Sequence, residues 1–360
     1  MNFRTYPGIP FRQKNQKRKH MGGEEKNTSQ EPSELRQDIV TGDWVVIATG
    51  RAKRPEDFIV KKDAVLSDSP ADDPFADPEA SGQKEDVLIY KRSDGEWTLR
   101  VFPNLYPAVA RGKVPKPHED GPYFAMSGTG YHELVVPRDR DKHFALMDVE
   151  MIAEVMDAYQ DRYIGIMNRK SIRYVSIIHN HGKSAGASIY HPHSQIFAIP
   201  VVSPYIRQEL EGSESYKKRF KKCVYCAMIE HDRQNGTRVV FENADFLVVA
   251  PFASRAAFEM WVIPKFHSPY FERTNNKQKL SLAWAMKKAF GALDRALENP
   301  DYNMYLHTAP CDGRDYPHYH WHFEILPKTA TWAGFELSTG IEISTIAPET
   351  AAEKLRENIE

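Results

Sequence analysis

The chain contains two histidine-x-histidine motifs, each in the same position within a recurring framework of prolines. The first begins the stretch "HPHSQIFAIP" (His191 to Pro200), and the second begins "HWHFEILP" (His320 to Pro327). Pro137 precedes Pro200 by 63 residues, and Pro264 precedes Pro327 by the same distance. This self-similarity predicts two copies of one structural unit, and the matched spacing argues against coincidence between two unrelated segments.

The order of elements within each copy predicts an α+β fold. A strand-like run ends at the first proline ("HELVVP", "FEMWVIP"), an amphipathic helix follows, and another strand leads to the histidine motif. Asp148 is placed to cap the first helix, and the second helix stops before Pro300. We expect antiparallel sheets with flanking helices in both copies.

Length and composition suggest how the chain is divided. At 360 residues it is long enough for two ordinary domains. We predict a disordered leader over residues 1–34, which are polar and lack apolar periodicity, then one domain over 35–205 and a second over 206–360. The charged stretch "EGSESYKKRFKK" lies near the predicted junction.

Charge and hydropathy exclude several classes of partner. The 48 basic and 49 acidic residues leave a net charge of −1, which calls for neither nucleic acid nor a membrane surface. We find no apolar run of about 18 residues and no signal-peptide core. A cytoplasmic location is therefore the expectation.

The pair of cysteines in "CVYC", Cys223 and Cys226, predicts a zinc site in the second copy. Thiolates at this spacing suit tetrahedral zinc when two nitrogen ligands are available. His267, three residues after Pro264, and His320 supply them, with His318 as the rival for the fourth position. Alternatives for the cysteine pair alone are inert core thiols or a redox dithiol.

Corresponding positions in the first copy lack most of these ligands. The loop expected to hold the cysteines reads "DPFA" (Asp73 to Ala76), and Arg140 stands three residues after Pro137. An arginine stays protonated and has no lone pair to give to a metal. Only His191 remains of the four ligands, so we predict that the first copy binds no zinc.

With no metal expected at His191, its neighbour His193 is free to act as a nucleophile. A neutral imidazole can attack phosphorus and form a covalent phosphoramidate, and its ordinary pKa of about 6.5 leaves much of it neutral at pH 7. The backbone carbonyl of His191 can fix the tautomer of His193, and Gln195 can donate to a phosphoryl oxygen. The alternative is a buried pair of structural histidines, which most isolated motifs of this kind contain.

The run before this motif, "HNHGKSAGAS" (His179 to Ser188), supports a phosphate site. Its small residues allow backbone N–H groups around Gly186 and Ser188 to approach a phosphate closely. The "GKS" within it is not a P-loop, because Ile177 occupies the place of the first glycine.

Two further stretches offer nucleotide contacts. Arg51 and Arg54 in "GRAKRPEDF" suit phosphate recognition, although solvated surface residues are the ordinary alternative. Asn104, between two prolines in "VFPNLYPAV", could read a ribose or a base, and its alternative is a turn residue.

Taken together, these residues resemble the galactose-1-phosphate uridylyltransferase family, a two-repeat branch of the histidine-triad superfamily. The resemblance covers nearly the whole chain after the leader. It rests on "RAKRP", "VFPNLYPA", "NHGKSAGAS" leading into "HPHSQ", "CVYC", "PKFH", "HYHWHFEILP" and "GFELSTG".

The resemblance implies two histidine-triad-like domains, the first carrying the nucleophile and the second the zinc. It implies that His193 becomes uridylylated and that Gln195 and Ser188 contact phosphate. Glu336 would face the hexose phosphate, and the nucleotide side would be lined by Arg51, Arg54, Asn104 and Asn180. In many relatives His191 is a zinc ligand, whereas here it is left for hydrogen bonding.

The implied activity is that of a UDP-glucose–hexose-1-phosphate uridylyltransferase that works by double displacement. The stretch "GFELSTG" (Gly334 to Gly340) is also similar to the ADP-glucose phosphorylase branch, so a phosphorylase or a nucleotide-sugar hydrolase using the same histidine is the alternative. A non-catalytic nucleotide-binding protein is the least favoured. Expected partners are a nucleotide sugar and a hexose 1-phosphate, and a homodimer is expected because family members often form one.

Overall fold

The computed structural model describes residues 33–51, 58 and 69–360. Of the predicted leader, only Ser33 and Glu34 fall within the described residues, and Glu34 begins the first strand. Pro32–Glu360 form one compact unit, within which the boundary at 205/206 stays a prediction.

The described residues form strands and helices in a mixed order. The strands are β1 Glu34–Gln37, β2 Trp44–Ile47, β3 Leu88–Lys91, β4 Trp97–Pro103, β5 His118–Asp120, β6 Tyr123–Ala125, β7 Tyr131–Pro137, β8 Tyr174–His181, β9 Ser194–Ile199, β10 Val239–Glu242, β11 Phe246–Val249, β12 Met260–Pro264, β13 Tyr302–His307, β14 His322–Pro327 and β15 Glu342–Ser344. The helices are α1 Val149–Met167, α2 Pro204–Phe220, α3 Val224–Asn235, α4 Asn276–Leu297, α5 Gly334–Thr339 and α6 Pro348–Glu357.

One ten-stranded antiparallel sheet spans both copies of the repeat. Its order is β10-β11-β12-β14-β13-β8-β9-β7-β4-β3. The strands of the two copies are therefore arranged symmetrically on either side of the central β13–β8 pair. The prediction of an α+β fold with antiparallel strands is confirmed. The two copies share a single sheet because β8 pairs with β13, where Asn303 Nδ2 donates to Asn180 Oδ1 at 2.8 Å.

Helices α1 and α4 cover one face of this sheet and form the main core. Both present an apolar stripe, including Met156 on α1 and Phe290 on α4, to strand residues such as Ile177 and Ile325. The predicted cap is confirmed, since the Asp148 carboxylate accepts a hydrogen bond from Met151 N at 2.7 Å. Burial of this stripe fixes which strand side chains face the opposite side.

The charged stretch near the predicted junction forms the second half of helix α2 and the two residues that follow it. Ser203 caps it by accepting from Ile206 N at 3.2 Å, and Pro204 occupies the first turn. Ile206 and Leu210 are buried from this helix, which explains why a segment with many charges is ordered. No helix in the described part of the chain combines the length and apolar character that crossing a bilayer requires.

The face of the sheet opposite α1 and α4 carries the polar groups. In the first copy a small apolar cluster of Phe75, Phe102, Leu134 and Val136 lies beneath the histidine motif. In the second copy a larger cluster, built from α2, α3 and strands β11 and β12, fills the corresponding space. This difference leaves the polar groups of the two copies in different surroundings.

Replacing Asp148 with alanine should lower the free energy of unfolding by about 1 kcal/mol, because the Met151 N–H loses its cap. Urea titration followed by circular dichroism measures the change. Glu353→Ala on an exposed position of α6 is the control and should alter stability by less than about 0.5 kcal/mol. Equal midpoints for the two variants would contradict this assignment of the cap.

Candidate active site and metal centre

His193 lies at the entry to β9 with its ring held in one tautomer. Its Nδ1 is 2.9 Å from the carbonyl oxygen of His191, and since a carbonyl only accepts, Nδ1 carries the proton. In the neutral ring the lone pair is therefore on Nε2. The side chain is buried and packs against Phe75, with ring centroids 5.3 Å apart. Burial lowers the pKa of His193 below its ordinary 6.5.

His191 is anchored through both of its ring nitrogens. Nε2 donates to the carbonyl oxygen of Pro137 at 2.7 Å, and Nδ1 faces Asp73 Oδ2 at 2.9 Å. The side chain is fully buried. With both nitrogens directed at oxygen acceptors, this imidazole serves to position the backbone that holds His193.

Asp73 and Arg140 meet at the place where the repeat would put metal ligands. Arg140 Nε lies 3.4 Å from Asp73 Oδ2, and the other carboxylate oxygen accepts from Phe75 N at 3.0 Å. The sequence comparison between repeats placed these two residues and His191 together, and the structure does so as well. It did not indicate that the carboxylate and the guanidinium would form an ion pair. The absence of zinc in this repeat stays a prediction.

Gln195 lies two residues beyond His193 and contacts a histidine that the sequence analysis missed. His132 Nε2 is 2.8 Å from Gln195 Oε1, and Asn104 Nδ2 lies 3.1 Å from the same ring nitrogen. A cavity of about 320 Å³ is lined by Asn104 and His132 together with Lys84 and Arg111. His132 could have been found as an outward-facing position in "YHELVVP", but the strand pattern does not say which neighbour it contacts.

The predicted phosphate loop folds tightly against the second copy. Gly182 has φ +80°, and a Cβ there would meet Asp301 Oδ1 at 1.9 Å, so only glycine fits. Asp301 accepts hydrogen bonds from both the N–H and the hydroxyl of Ser184, at 2.8 and 2.7 Å. Gly186, in the left-handed region, and Ser188 are exposed beyond this anchor.

Glu336 lies in a different cavity from Asn104. It lines about 250 Å³ together with Ser184, Lys328 and Glu342, and burial raises the pKa of Glu342 to about 7. Glu336 also accepts from Ala333 N at 3.0 Å at the start of α5. Arg51 ends a short 3-10 turn, Thr49–Arg51, and its side chain is not described, while Arg54 lies outside the described residues.

Four side chains of the second copy form a group that could hold a metal ion. The potential ligand atoms of Cys223, Cys226, His267 and His320 all lie within 4.8 Å of one another. His320 Nε2 donates to the carbonyl oxygen of Pro264 at 2.8 Å, and His267 Nε2 to that of Pro317 at 3.1 Å. These bonds turn both Nδ1 atoms towards the thiols, as in metal sites where the second ring nitrogen is hydrogen-bonded.

The position of the cysteines on α3 suits thiolates. Cys223 is the N-cap residue of this helix, and Cys226 lies in its first turn, where the helix dipole favours negative charge. A hydrogen bond with Cys226, followed by those with His267 and His320, lowers the pKa of the Cys223 thiol. His318 is not among the four grouped side chains, and its ring contacts Tyr316.

A second buried group in the same copy was not predicted. Glu209, His307, His322 and Glu324 also bring their ligand atoms within 4.8 Å of one another. Arg255 forms a salt bridge with Glu324. Burial alone would lower the pKa of His307, but the charges of Glu209 and Glu324 raise this pKa to about 10. His322 and Glu324 lie in the second histidine motif, whereas Glu209, Arg255 and His307 come from distant parts of the sequence, so no local pattern could reveal the whole group.

The histidine motifs of the two copies have the same backbone arrangement and different surroundings. His322 Nδ1 lies 3.2 Å from the carbonyl oxygen of His320, as His193 does with His191. However, His322 Nε2 faces the carboxylate of Glu324 at 3.2 Å, at the position equivalent to Gln195. A carboxylate there cannot donate a hydrogen bond to a phosphoryl oxygen, whereas the amide of Gln195 can.

The fold and this site define the class of protein: a two-repeat histidine-triad-type enzyme of the nucleotidyltransferase kind. The model of the family "Galactose-1-phosphate uridyl transferase, N-terminal domain" matches residues 24–203. A second model, "Domain of unknown function (DUF4921)", matches residues 140–360. The chain belongs to the galactose-1-phosphate uridylyltransferase family.

Relatives within this family carry two different names. The chain is 33% identical to the ADP-glucose phosphorylase of Arabidopsis thaliana, over 93% of this chain and 96% of that protein. It is 27% identical to the galactose-1-phosphate uridylyltransferase of Thermotoga maritima, over 90% and 98% respectively. A crystal structure of an Arabidopsis thaliana ADP-glucose phosphorylase with bound ADP-glucose superposes with a TM-score of 0.76 and 31% identity, covering 91% of this chain and 99% of that one.

Replacing His320 with alanine should abolish metal binding by this group, whereas His318→Ala should retain it, because His320 directs Nδ1 at both thiols and His318 is not part of the group. Inductively coupled plasma mass spectrometry of the purified proteins should give about one zinc ion per chain for the wild type and His318→Ala. Loss of zinc from His318→Ala with retention in His320→Ala would contradict the ligand set. Cys226→Ser provides a second variant in which the metal should be lost.

Proposed function

We propose that this protein transfers a nucleoside monophosphate from a nucleotide sugar to a second acceptor through a covalent intermediate on His193. The observation that carries the proposal is the tautomer of His193, whose Nδ1–H donates to the His191 carbonyl and leaves Nε2 as the nucleophilic atom. Its lowered pKa keeps this atom unprotonated at neutral pH.

In the first step His193 Nε2 attacks the α-phosphorus of the nucleotide sugar. The P–N bond forms as the bond between that phosphorus and the bridging oxygen breaks, and hexose 1-phosphate leaves with the electron pair. The imidazolium that results is stabilised by the Nδ1–H bond to His191 O. In the second step an acceptor oxygen attacks the same phosphorus, and the P–N electrons return to His193.

We propose that several groups bind the charged substrate. Gln195 would donate to a non-bridging phosphoryl oxygen, and the backbone N–H groups around Gly186 and Ser188 would offset charge in the transition state. We propose that the nucleotide is contacted by Arg51, Arg54, Asn104 and Asn180. We propose that the hexose phosphate is contacted by Glu336. The cavity that Asn104 lines is adjacent to the His132–Gln195 pair, which supports this division.

Two acceptors fit the second step of the transfer, and we propose both. With galactose 1-phosphate as acceptor the protein would be a UDP-glucose–hexose-1-phosphate uridylyltransferase, the activity after which the family is named. With phosphate as acceptor it would be an ADP-glucose phosphorylase, which is favoured by 33% identity to the Arabidopsis thaliana enzyme of that name.

We propose zinc as the ion of the Cys223, Cys226, His267 and His320 group, in a structural role. Two thiolates and two imidazoles form a closed tetrahedral set for zinc, without an open position for a substrate. Bound zinc would join α3 to the loop that follows β12 and to the histidine motif, and it takes no part in the transfer. A cytoplasmic location accords with thiols that must stay reduced, and the homodimer remains a proposal.

Intact-mass spectrometry after separate incubation with UDP-glucose and ADP-glucose should detect one nucleotide adduct on the wild-type protein. The mass of the adduct identifies the base. His193→Asn should carry none, because its amide cannot form the P–N bond. Wild-type protein that stays unmodified with every nucleotide sugar supplied would overturn the scheme.

The identity of the acceptor follows from a second measurement on the same adduct. Phosphate, galactose 1-phosphate or buffer alone is added to the labelled protein, and the released nucleotide is analysed. Release as ADP with phosphate indicates the phosphorylase, and release as UDP-galactose with the sugar phosphate indicates the uridylyltransferase. Release in buffer alone would indicate a hydrolase.

The rate of adduct formation should fall with a midpoint below pH 6.5, the ordinary pKa of a histidine. Because burial lowers the pKa of His193, the ring stays neutral and nucleophilic to a lower pH than an ordinary histidine does. Rapid-quench measurement of the single-turnover rate between neutral and mildly acidic pH tests this. A decrease centred at or above pH 6.5 would show that burial does not control this titration.

A further inference from the structure

His132 links the backbone of the "VFPNLYPAV" loop to the side chain of Gln195. It lies on β7, whose neighbour β9 carries Gln195, and the β7–β9 register places His132 opposite Phe197. The imidazole stacks on the Phe197 ring, with centroids 4.0 Å apart and an angle of 24°. The side chain is buried, so this packing restricts the ring to one orientation.

The hydrogen bonds of His132 determine which nitrogen carries the proton. Nδ1 lies 3.2 Å from Ala108 N, and a backbone N–H can only donate, so Nδ1 must be an unprotonated acceptor. In the neutral ring the proton is then on Nε2, and burial lowers the pKa of His132, which favours the neutral form. Nε2–H therefore donates to Gln195 Oε1 at 2.8 Å.

Asn104 lies close to the same nitrogen without changing this result. Its Oδ1 accepts from Tyr106 N at 2.8 Å, which fixes the amide with Nδ2 towards His132, 3.1 Å from Nε2. Because Nε2 already carries a proton, it cannot accept from Asn104 Nδ2. The closer oxygen, Gln195 Oε1, is the partner of the Nε2 proton.

The orientation of the Gln195 amide follows from this bond. An amide whose oxygen accepts from His132 must turn its NH2 group to the other side. Among the residues that the structure describes, none accepts a hydrogen bond from Gln195 Nε2. Two N–H donors are thus left for a bound ligand, beside the nucleophile two residues away.

Equivalent positions in the second copy are linked as well. Glu259 precedes Pro264 by five residues, as His132 precedes Pro137, and Glu324 is equivalent to Gln195. There the guanidinium of Arg255 bridges the two carboxylates, with Nη2 3.0 Å from Glu259 Oε1. The two strands therefore bring these positions together in each copy, and only the first copy joins them by a direct bond to an amide.

We propose that His132 is a positioning residue for nucleotidyl transfer: through its Nε2–H bond it turns the Gln195 amide so that the NH2 group faces the transferred phosphoryl group. This inference rests on the proposed function and identifies what orients its phosphate donor. Without the bond, the Gln195 amide can rotate, and its carbonyl oxygen would then face phosphoryl oxygens that also carry negative charge. The donor that the transition state needs would be replaced by a repulsive group.

A double-mutant cycle between His132 and Gln195 tests the proposal. His132→Phe keeps an aromatic ring over Phe197 and removes both hydrogen bonds, and Gln195→Ala removes the donor. The single-turnover rate of adduct formation at saturating nucleotide sugar is measured for the wild type, both single variants and the double variant. If His132→Phe fails to fold, as judged by circular dichroism and zinc content, His132→Leu takes its place with the same expectation.

We expect His132→Phe to lower the rate by about 10- to 100-fold when Gln195 is present. In the Gln195→Ala background the same change should alter the rate by less than about threefold, because the donor it orients is already absent. His132→Gln, whose amide offers both an acceptor and a donor, should recover at least about tenfold of the loss. A purely structural role would lower the rate equally in both backgrounds and would not be relieved by glutamine.

Additive losses in the cycle, or no recovery with His132→Gln, overturn the role of His132. If the wild type forms an adduct while either of these results is found, the proposed function stands and only the positioning role fails. If the wild type forms no adduct with any nucleotide sugar, the proposed function itself fails.

Discussion

The rest of the site depends on the bond between each leading histidine of the two motifs and a carbonyl oxygen at the end of a neighbouring strand. His191 donates to Pro137 O and His320 donates to Pro264 O, at 2.7 and 2.8 Å. Each bond fixes the backbone of its motif relative to the strand before the helix. The carbonyl of the leading histidine then accepts from the ring of the next one, and in this way the main chain determines the tautomer of His193.

What differs between the copies is the partner of the other nitrogen of the leading histidine. In the first copy that nitrogen faces a carboxylate that is paired with Arg140, so fixed charges of opposite sign hold the motif. In the second copy it faces two thiols and a further imidazole, a group suited to a soft cation. Removing one partner of a buried ion pair leaves an uncompensated charge and lowers stability strongly. The arrangement in the first copy therefore needs all of its members, as a metal site needs all of its ligands.

The features that depend on local spacing could be predicted from the sequence. The repeat, the α1 cap at Asp148 and the group of cysteines and histidines all follow from residues at fixed distances from a proline or a helix start. Pairing of β8 with β13 could not be predicted, because neither strand carries a pattern that names its neighbour. The ordered helix α2 was missed since its charges obscured the apolar positions at Ile206 and Leu210.

The residues that sequence reasoning missed at the site share one property, which is that they act across strands. His132 reaches Gln195 from a neighbouring strand, and Arg255 joins Glu259 to Glu324 in the same way. Strand alternation predicts the face on which such a side chain lies. It does not predict the register that decides which side chain it meets.

The single sheet shared by both copies has a consequence for how the protein responds to oxidation. The groups described in contact with the ring of His193 carry no sulfur, while the opposite half contains free thiols that can be oxidised. Oxidants would thus act on the half that lacks His193. An effect of that oxidation on His193 would have to cross the contacts between the two halves, which include the main-chain hydrogen bonds between Tyr302–Leu306 and Ile177–His181 and the hydrogen bonds of Ser184 with Asp301.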